Sequence, residues 1–250
     1  MGIIYEEIVR MWQGWRVESV QDIDERLHNF RILFAYNSGK IENKEITYHD
    51  TREIFENGRT VNFTGDPRSL LEQRNQKLCY ELLKYKIAAR EPLSISLLLE
   101  THEVLTAGTY DEQRFIQRGE RPGAFKKYDY VIGREEAGSP PSHVGDHISA
   151  LLDEVQNYEG SEILKAAAYF HLRFENIHPF ADGNGRVGRT LLNYFLMIRN
   201  HPPIIIFDED KAAYYAALDS YDRTEEITAM YDFLHMEVER TWGKQKMRNK

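Results

Sequence analysis

The sequence predicts an all-α protein with one short β-hairpin. Most of the 250 residues fall into segments in which apolar side chains recur at helical spacing, with Gly, Pro or Asn positions between them. One stretch, 123–133, instead groups β-forming residues between two glycines: Phe125, Tyr128, Tyr130, Val131 and Ile132. We therefore expect a helical core that carries a single hairpin, or flap.

The helices before the hairpin follow from periodicity and from capping residues. Apolar residues at 23, 27, 30, 33 and 34 predict one helical segment that continues to about Glu42. Thr47 and Asp50 form the pattern of a capping box and Gly58 is a stop signal, so a helix is expected between them. Two more periodic stretches follow at 70–89 and 94–106.

The first helices after the hairpin are expected at 147–158 and 161–176, and a third is expected to end at about Asn200. The last two are expected at 212–221 and 227–242. Ser161 is a residue type that favours the N-cap position of a helix. The basic residues 244–250 are expected to fray, as chain ends commonly do.

Composition limits the classes of function. The formal net charge of -8 disfavours nucleic-acid binding, which normally requires a basic surface. Cys79 is the only cysteine, so neither an intramolecular disulfide nor a cysteine-rich metal cluster can form, and a cytoplasmic setting fits. No window has about 18 consecutive apolar residues, so no membrane-spanning segment is expected.

Residues 178–189 read His-Pro-Phe-Ala-Asp-Gly-Asn-Gly-Arg-Val-Gly-Arg, a run suited to a nucleotide phosphate. His178 can take up a proton near neutral pH. Asp182 is a hard oxygen ligand of the kind that Mg²⁺ prefers. Arg186 and Arg189 add forked positive charge and share one face if a helix begins here.

The two glycines of this run, Gly183 and Gly185, leave backbone N–H groups uncovered by side chains. Apolar residues at 191, 192, 194, 195 and 198 predict a helix that begins at the glycine loop. Unpaired amides and the positive end of the helix dipole both favour an anion at this place.

The run 177–189 resembles the signature of the Fic family, His-Pro-Phe-x-Asp/Glu-Gly-Asn-Gly-Arg with a second arginine three residues later, and every defined position matches. The order of elements is similar too, over roughly 93–234. The resemblance implies the Fic fold, a helical core with one β-hairpin flap. It also implies transfer of AMP from ATP to a Tyr, Thr or Ser hydroxyl of a target protein, or of the enzyme itself.

The resemblance implies a role for each matching residue. His178 is the catalytic base that takes the proton of the attacking hydroxyl, and Asp182 holds Mg²⁺ against the phosphates. The implied nucleotide-binding residues are Gly183, Asn184, Gly185, Arg186 and Arg189. Among them, Arg189 binds the γ-phosphate and so fixes the direction of the phosphate chain.

The resemblance also implies a role for the flap and for side chains that line the adenine. Phe125 to Val131 is the edge on which a target segment docks by strand addition. Tyr214 and Tyr215 are candidates for the side chains that line the adenine.

A second motif lies upstream. Ser38, Glu42 and Asn43 match the Ser/Thr-x-x-x-Glu-Gly/Asn pattern that marks an inhibitory helix in this family, in the class where that helix precedes the core. Ser38 and Glu42 are four residues apart and share one helical face. An ion pair from Glu42 to Arg189 would occupy the guanidinium that receives the γ-phosphate. An ordinary helix end with an asparagine cap also fits the pattern.

We expect three parts: an N-terminal helical segment with the inhibitory helix (1–92), the Fic catalytic core (93–238) and a basic tail (239–250). Two alternatives stay open. One is an ATP-binding regulatory module with little transferase activity. The other is a Fic enzyme that moves another group or removes AMP. The sequence also leaves open whether the chain forms a homo-oligomer.

Overall fold

Eleven α-helices and two short β-strands make up the part of the chain that the structure describes, residues 2–60, 63–132 and 135–248. The structure is a computed structural model. The helices are α1 (Gly2–Gly14), α2 (Val20–Arg26), α3 (His28–Glu42), α4 (Tyr48–Asn57), α5 (Pro67–Ala88), α6 (Ile95–Thr106), α7 (Val144–Gln156), α8 (Ile163–Ile177), α9 (Asn184–Ile198), α10 (Lys211–Thr224) and α11 (Thr228–Arg248). The strands are β1 (Tyr130–Ile132) and β2 (Glu135–Ala137).

Helices α8 and α9 form the centre of the fold. Helix α9 is buried along almost its whole length, because α3, α5, α6 and α8 all pack against it. One hydrophobic core joins the N-terminal helices to the rest: Trp12 of α1 and Phe30 of α3 both contact Trp242 of α11, with ring centroids 5.6 and 5.8 Å apart. This packing sets α3 directly against α9, the helix that contains the second half of the run 178–189.

The two strands pair antiparallel, with Val131 opposite Glu136. They are shorter than the run of β-forming residues, because the backbone N–H of Lys126 donates to the carbonyl of Pro179 at 2.9 Å and residues 125–129 stay irregular. Beyond β2, the N–H of Ser139 donates to the carbonyl of Ile177 at 2.9 Å. The segment that holds the strands is thus fastened on both sides of residue 178.

Several predicted boundaries are confirmed by the caps. Thr47 begins α4, with its hydroxyl accepting the N–H of Asp50, and Gly58 ends it in the left-handed region at φ 71°. The hydroxyl of Ser94 accepts the N–H of Leu97 and begins α6.

The prediction of one helix from 23 to 42 is wrong, because the chain turns at Leu27, whose φ and ψ are -101° and 11°. A capping box between Ser19 and Asp22 begins α2 earlier than predicted. Leu27 is fully buried and lies at the corner between α2 and α3, so the apolar periodicity continues across the break and hides it.

Predictions for the start of α8 and for the C-terminal tail, and one omission at the N-terminus, also need correction. Ser161 does not cap α8: its carbonyl accepts the N–H of Ile163 in a tight turn, and the helix begins one residue later, after Glu162. The expected frayed tail is helical as far as Arg248. The sequence did not predict α1, although Ile8 and Trp12 recur at helical spacing and are buried. No helix within the described ranges is both long and apolar enough to cross a membrane.

Candidate active site

His178 stands at the end of α8, where the chain leaves the helix in the left-handed region at φ 51° and ψ 62°. Its backbone N–H still donates to the carbonyl of Phe174 at 3.0 Å, which closes the helix. Burial lowers the pKa of the imidazole to about 4, and the nearby charge of Lys126 acts in the same direction. At neutral pH the ring is therefore uncharged and able to accept a proton.

The loop after His178 is held by Asn184. Its side-chain oxygen accepts the N–H of Phe180 at 2.9 Å, and its side-chain nitrogen donates to the carbonyl of the same residue at 2.8 Å. Asn184 is buried, and both its polar atoms are used within the loop. The predicted contribution of Asn184 to a nucleotide site is therefore limited to its backbone N–H.

His102 of α6 fixes the same loop from the other side. Its ring stacks on Phe180 with centroids 3.6 Å apart. Nδ1 accepts the N–H of Gly123 at 2.9 Å, which leaves Nε2 to donate to the carbonyl of Asp182 at 3.1 Å. Burial lowers the pKa of His102 to about 4, so the ring stays neutral and keeps this pattern. This role of His102 could not be predicted from the sequence, since the partners lie 21 and 80 residues away.

The N-terminus of α9 leaves three backbone amides unpaired within the helix. The first intrahelical bond runs from the N–H of Val187 to the carbonyl of Gly183 at 3.0 Å, so the N–H groups of residues 184–186 precede it. Gly183 adopts φ 85°, and a Cβ there would lie 2.6 Å from Cγ2 of Thr106. The turn therefore requires glycine, and the unpaired amides after it are of the kind that suits an anion.

Arg189 of α9 is buried and bonded to α3. Its Nε donates to the hydroxyl of Ser38 at 3.1 Å, and its Nη2 donates to the Ser38 carbonyl at 2.9 Å and to Oε1 of Glu42 at 2.9 Å. Burial opposes the charge of the guanidinium, but Glu42 and Tyr214 hold the pKa of Arg189 above its ordinary value. The structure thus brings Ser38, Glu42 and Arg189 together although 147 to 151 residues separate them.

Gly185 makes this contact between α3 and α9 feasible. A Cβ at Gly185 would lie 2.4 Å from Oε1 of Glu42 and 2.8 Å from Nη1 of Arg189. A side chain here would therefore displace the ends of Glu42 and Arg189 from their present positions.

Arg186 belongs to a different set of charges. Its Nη1 lies 3.4 Å from Oε1 of Glu72, and its Nη2 lies 3.6 Å from Oδ1 of Asp182. Arg68 of α5 closes the set, with Nη2 at 2.7 Å from Oδ2 of Asp182 and Nε at 3.0 Å from Oε1 of Glu72. Asn43 joins it by donating to Oε2 of Glu72 at 3.3 Å. Nothing in the sequence predicted Arg68 or Glu72, because their spacing is that of an ordinary surface pair on a helix.

Two cavities meet at this place. The first, the tyrosine cavity, is lined by Leu172, Glu175, Arg189, Tyr214, Tyr215 and Leu218, among others. The second, the arginine cavity, is lined by Arg68, Glu72, Arg114, Tyr130, Asp182 and Arg186, among others. Glu42, His178 and Gly185 line both cavities, so the base and the acidic residue of α3 stand at their junction.

The two tyrosines of α10 are placed differently in the first cavity. Tyr214 is buried, and its hydroxyl bonds to Nε2 of His171 at 2.8 Å while Arg189 lies 5.9 Å from its ring centre. Tyr215 is 37% exposed and presents its ring at the cavity surface. Tyr215 is therefore free to contact a bound ring, whereas Tyr214 supports Arg189.

Comparison with known proteins agrees with this geometry. Residues 92–196 match the model of the Fic/DOC family. Curated relatives include "Protein adenylyltransferase fic-1" of Caenorhabditis elegans, 28% identical over 75% of this chain and 36% of the relative. Another is "Protein adenylyltransferase Fic" of Drosophila persimilis, 31% identical over 72% and 34%. The chain thus spans about a third of the length of these relatives.

Solved structures share the fold. A Fic domain containing signaling protein from Bacteroides thetaiotaomicron superposes with a TM-score of 0.81 at 22% identity, over 95% of this chain and 93% of that one. Fic-1 from C. elegans superposes with a TM-score of 0.77 at 20% identity, over 98% and 72%.

Proposed function

Because residues 92–196 form a Fic/DOC family domain, we propose that the protein is a protein adenylyltransferase that transfers AMP from ATP to a Tyr, Thr or Ser hydroxyl. The observation that carries the proposal is the position of His178, uncharged at neutral pH, at the junction of the two cavities. A nucleotide with its base against Tyr215 and its phosphates on the first turn of α9 has its α-phosphate beside this imidazole. The names of the relatives support the same activity.

His178 supplies what a protein hydroxyl lacks as a nucleophile. The imidazole accepts the hydroxyl proton while the oxygen forms its bond to the α-phosphorus and the bond to the pyrophosphate oxygen breaks. The amides of residues 184–186 point at the phosphate and stabilise the charge that develops on its oxygens. Arg186 stabilises the leaving pyrophosphate from the arginine cavity.

A Mg²⁺ ion fits beside Asp182 if it arrives with the phosphates. Mg²⁺ usually takes one or two protein carboxylates and completes its shell with phosphate oxygens and water. The carboxylate of Asp182 is 20% exposed and lines the arginine cavity, and no cluster of three potential metal ligands occurs in the described part of the chain. Asp182 is the residue that would hold the ion, which when bound offsets negative charge on the phosphates.

Glu42 keeps this activity low. Arg189 can bind the γ-phosphate only when Glu42 has withdrawn, because the carboxylate now occupies its Nη2. Without that contact the phosphate chain can bind in directions that do not place pyrophosphate in line with the attacking hydroxyl. The inhibition therefore acts on the orientation of ATP.

The segment Phe125 to Val131 is the proposed docking edge for the target. Its support is the pair of backbone bonds that fasten the flap to Pro179 and Ile177, the two neighbours of His178. A strand added at this edge brings its side chains next to the base. Tyr130, the first residue of β1, lines the arginine cavity and so borders the phosphates.

Labelled ATP tests the activity. The purified chain, as wild type, as Glu42→Gly and as His178→Ala, is incubated with Mg²⁺ and a cell lysate, once with label on the α-phosphate and once on the γ-phosphate. We expect α-label on protein in Glu42→Gly, weaker α-label in wild type and none in His178→Ala, with a mass increment of one AMP. Label from the γ-phosphate would indicate phosphate transfer, and ATP binding without label in Glu42→Gly would indicate a regulatory module.

A further inference from the structure

We propose that Arg68 takes the place of the metal ion on Asp182 in the ATP-free protein and becomes a ligand of the nucleotide phosphates when metal and nucleotide bind. The proposal rests on the proposed function, because it assigns a further phosphate-binding residue to the same site. It involves α5, which lies outside the run 178–189 and outside the family model match at 92–196.

The first support is the contact itself. Arg68 stands in the first turn of α5, where Asp66 accepts its backbone N–H at 2.9 Å. Its Nη2 lies 2.7 Å from Oδ2 of Asp182, a distance typical of a charge-assisted hydrogen bond. Nη2 of Arg186 faces the other carboxylate oxygen at 3.6 Å. Guanidinium groups therefore face both oxygens of the proposed metal ligand.

A metal ion and this guanidinium compete for the carboxylate of Asp182. A Mg²⁺ ion binds a carboxylate oxygen at roughly 2 Å. An ion at that distance would lie next to Nη2 of Arg68, and two cations so close repel strongly in a partly buried cavity. Metal binding therefore favours the departure of Arg68 from Asp182. The side chain can move, since it is 36% exposed and lines the arginine cavity.

Once it leaves Asp182, Arg68 needs another anion. Glu72 is the remaining partner, but its Oε1 already faces Arg186 at 3.4 Å as well as Arg68 at 3.0 Å. One buried carboxylate then serves two guanidinium groups, and the cavity also contains Arg114. The cavity then has an excess of positive charge, which phosphate oxygens at the N-terminus of α9 would balance. The planar guanidinium of arginine suits phosphate oxygens. Arg68 thus couples metal binding to nucleotide binding.

The variant Arg68→Gln tests this exchange through two binding measurements that need no AMP transfer. The first is the affinity of the nucleotide-free protein for Mn²⁺, followed by water-proton relaxation. The second is the affinity for ATP in EDTA, followed by calorimetry. We expect opposite effects relative to wild type. Mn²⁺ should bind roughly tenfold more tightly, because Arg68 no longer competes for Asp182, and ATP should bind roughly tenfold more weakly, because one charged contact to its phosphates is lost. A purely structural role for Arg68 would weaken both.

Two further variants serve as controls. Arg114→Gln removes a guanidinium of the same cavity that pairs with Asp111 and not with Asp182, so Mn²⁺ affinity should stay at the wild-type value. Asp182→Asn in the Arg68→Gln background should abolish the gain in Mn²⁺ affinity. Arg68→Ala replaces Arg68→Gln if the glutamine variant does not fold.

Unchanged or weaker Mn²⁺ binding in Arg68→Gln would overturn the proposal, as would unchanged ATP binding or a gain that survives Asp182→Asn. The proposed function fails separately: absence of AMP transfer in Glu42→Gly, with the opposite shifts in Mn²⁺ and ATP affinity intact, would leave the exchange at Arg68 standing and reject the transferase.

Discussion

Arg186 and Arg189 lie three residues apart on α9 and are almost equally buried, yet their surroundings differ. Arg189 makes three hydrogen bonds of 2.9 to 3.1 Å to α3. The nearest carboxylate oxygens to Arg186 lie at 3.4 and 3.6 Å, and its Nε and Nη1 find no hydrogen-bond partner among the residues that the structure describes. Nη1 of Arg189 also finds no partner among these residues, so the contrast lies in Nε and Nη2, which α3 binds in Arg189.

On the proposed function, this difference is the point at which regulation acts. For that function, the N-terminal amides of α9, Arg186 and neutral His178 are in place for a nucleotide, whereas Arg189 is bonded to α3. In the same proposal, α3 withholds Arg189 from the nucleotide, while Arg68 holds Asp182.

Removal of the base should have the largest effect. His178→Ala leaves both arginines in place but removes the proton acceptor, so the rate of AMP transfer should fall by about 10²- to 10⁴-fold. The check is the initial rate of α-label incorporation in a Glu42→Gly background, together with the affinity for ATP as a control for binding. A rate near that of the parent would show that the imidazole is not the base.

Release of Arg189 should have the next largest effect. Glu42→Gly removes the carboxylate from Nη2 of Arg189 and should raise the transfer rate roughly 10- to 100-fold, within the range of coupling between two sites. Glu45→Gly is the matched control, because it removes a nearby carboxylate that bonds to the backbone of Asp66 instead of to Arg189. Equal rates in the two variants would contradict the inhibitory role of Glu42.

The dependence of the transfer rate on pH should report on His178 and not on the arginines, because the arginines keep their charge over the whole range. The pKa of His178 is lowered to about 4, so the imidazole is unprotonated, and active as a base, above that pH. In Glu42→Gly we expect a transfer rate that is flat from pH 6 to 8 and falls about tenfold per unit below the pKa. A midpoint near the ordinary histidine value would mean that the imidazole is not desolvated.

A smaller effect on stability should show how the loop between the arginines and the base is held. Asn184→Ala leaves the buried N–H and carbonyl of Phe180 unpaired and should lower the free energy of unfolding by about 1–3 kcal/mol. Asn176→Ala removes an exposed bond to Asp222 and should cost less than about 0.5 kcal/mol. Urea unfolding compares the two, and similar losses would show that Asn184 is not a structural support.

The sequence predicted the parts of this site that are contiguous. The run 178–189 carries its chemistry in consecutive residues, and Ser38 and Glu42 share a face by their spacing alone. The roles of His102 and Arg68 could not be predicted, because their contacts reach Asp182 across 80 and 114 residues and depend on tertiary packing. The turn at Leu27 was missed for a related reason: burial at a corner preserves apolar periodicity while the backbone departs from the helix.

The central claim is that Glu42 and the γ-phosphate compete for Arg189. A double-mutant cycle tests it most directly, with α-label incorporation measured in wild type, Glu42→Gly, Arg189→Gln and the double variant. We expect the gain from Glu42→Gly to disappear when Arg189 is glutamine, because the released guanidinium is then absent. A gain of the same size in both backgrounds would contradict the account.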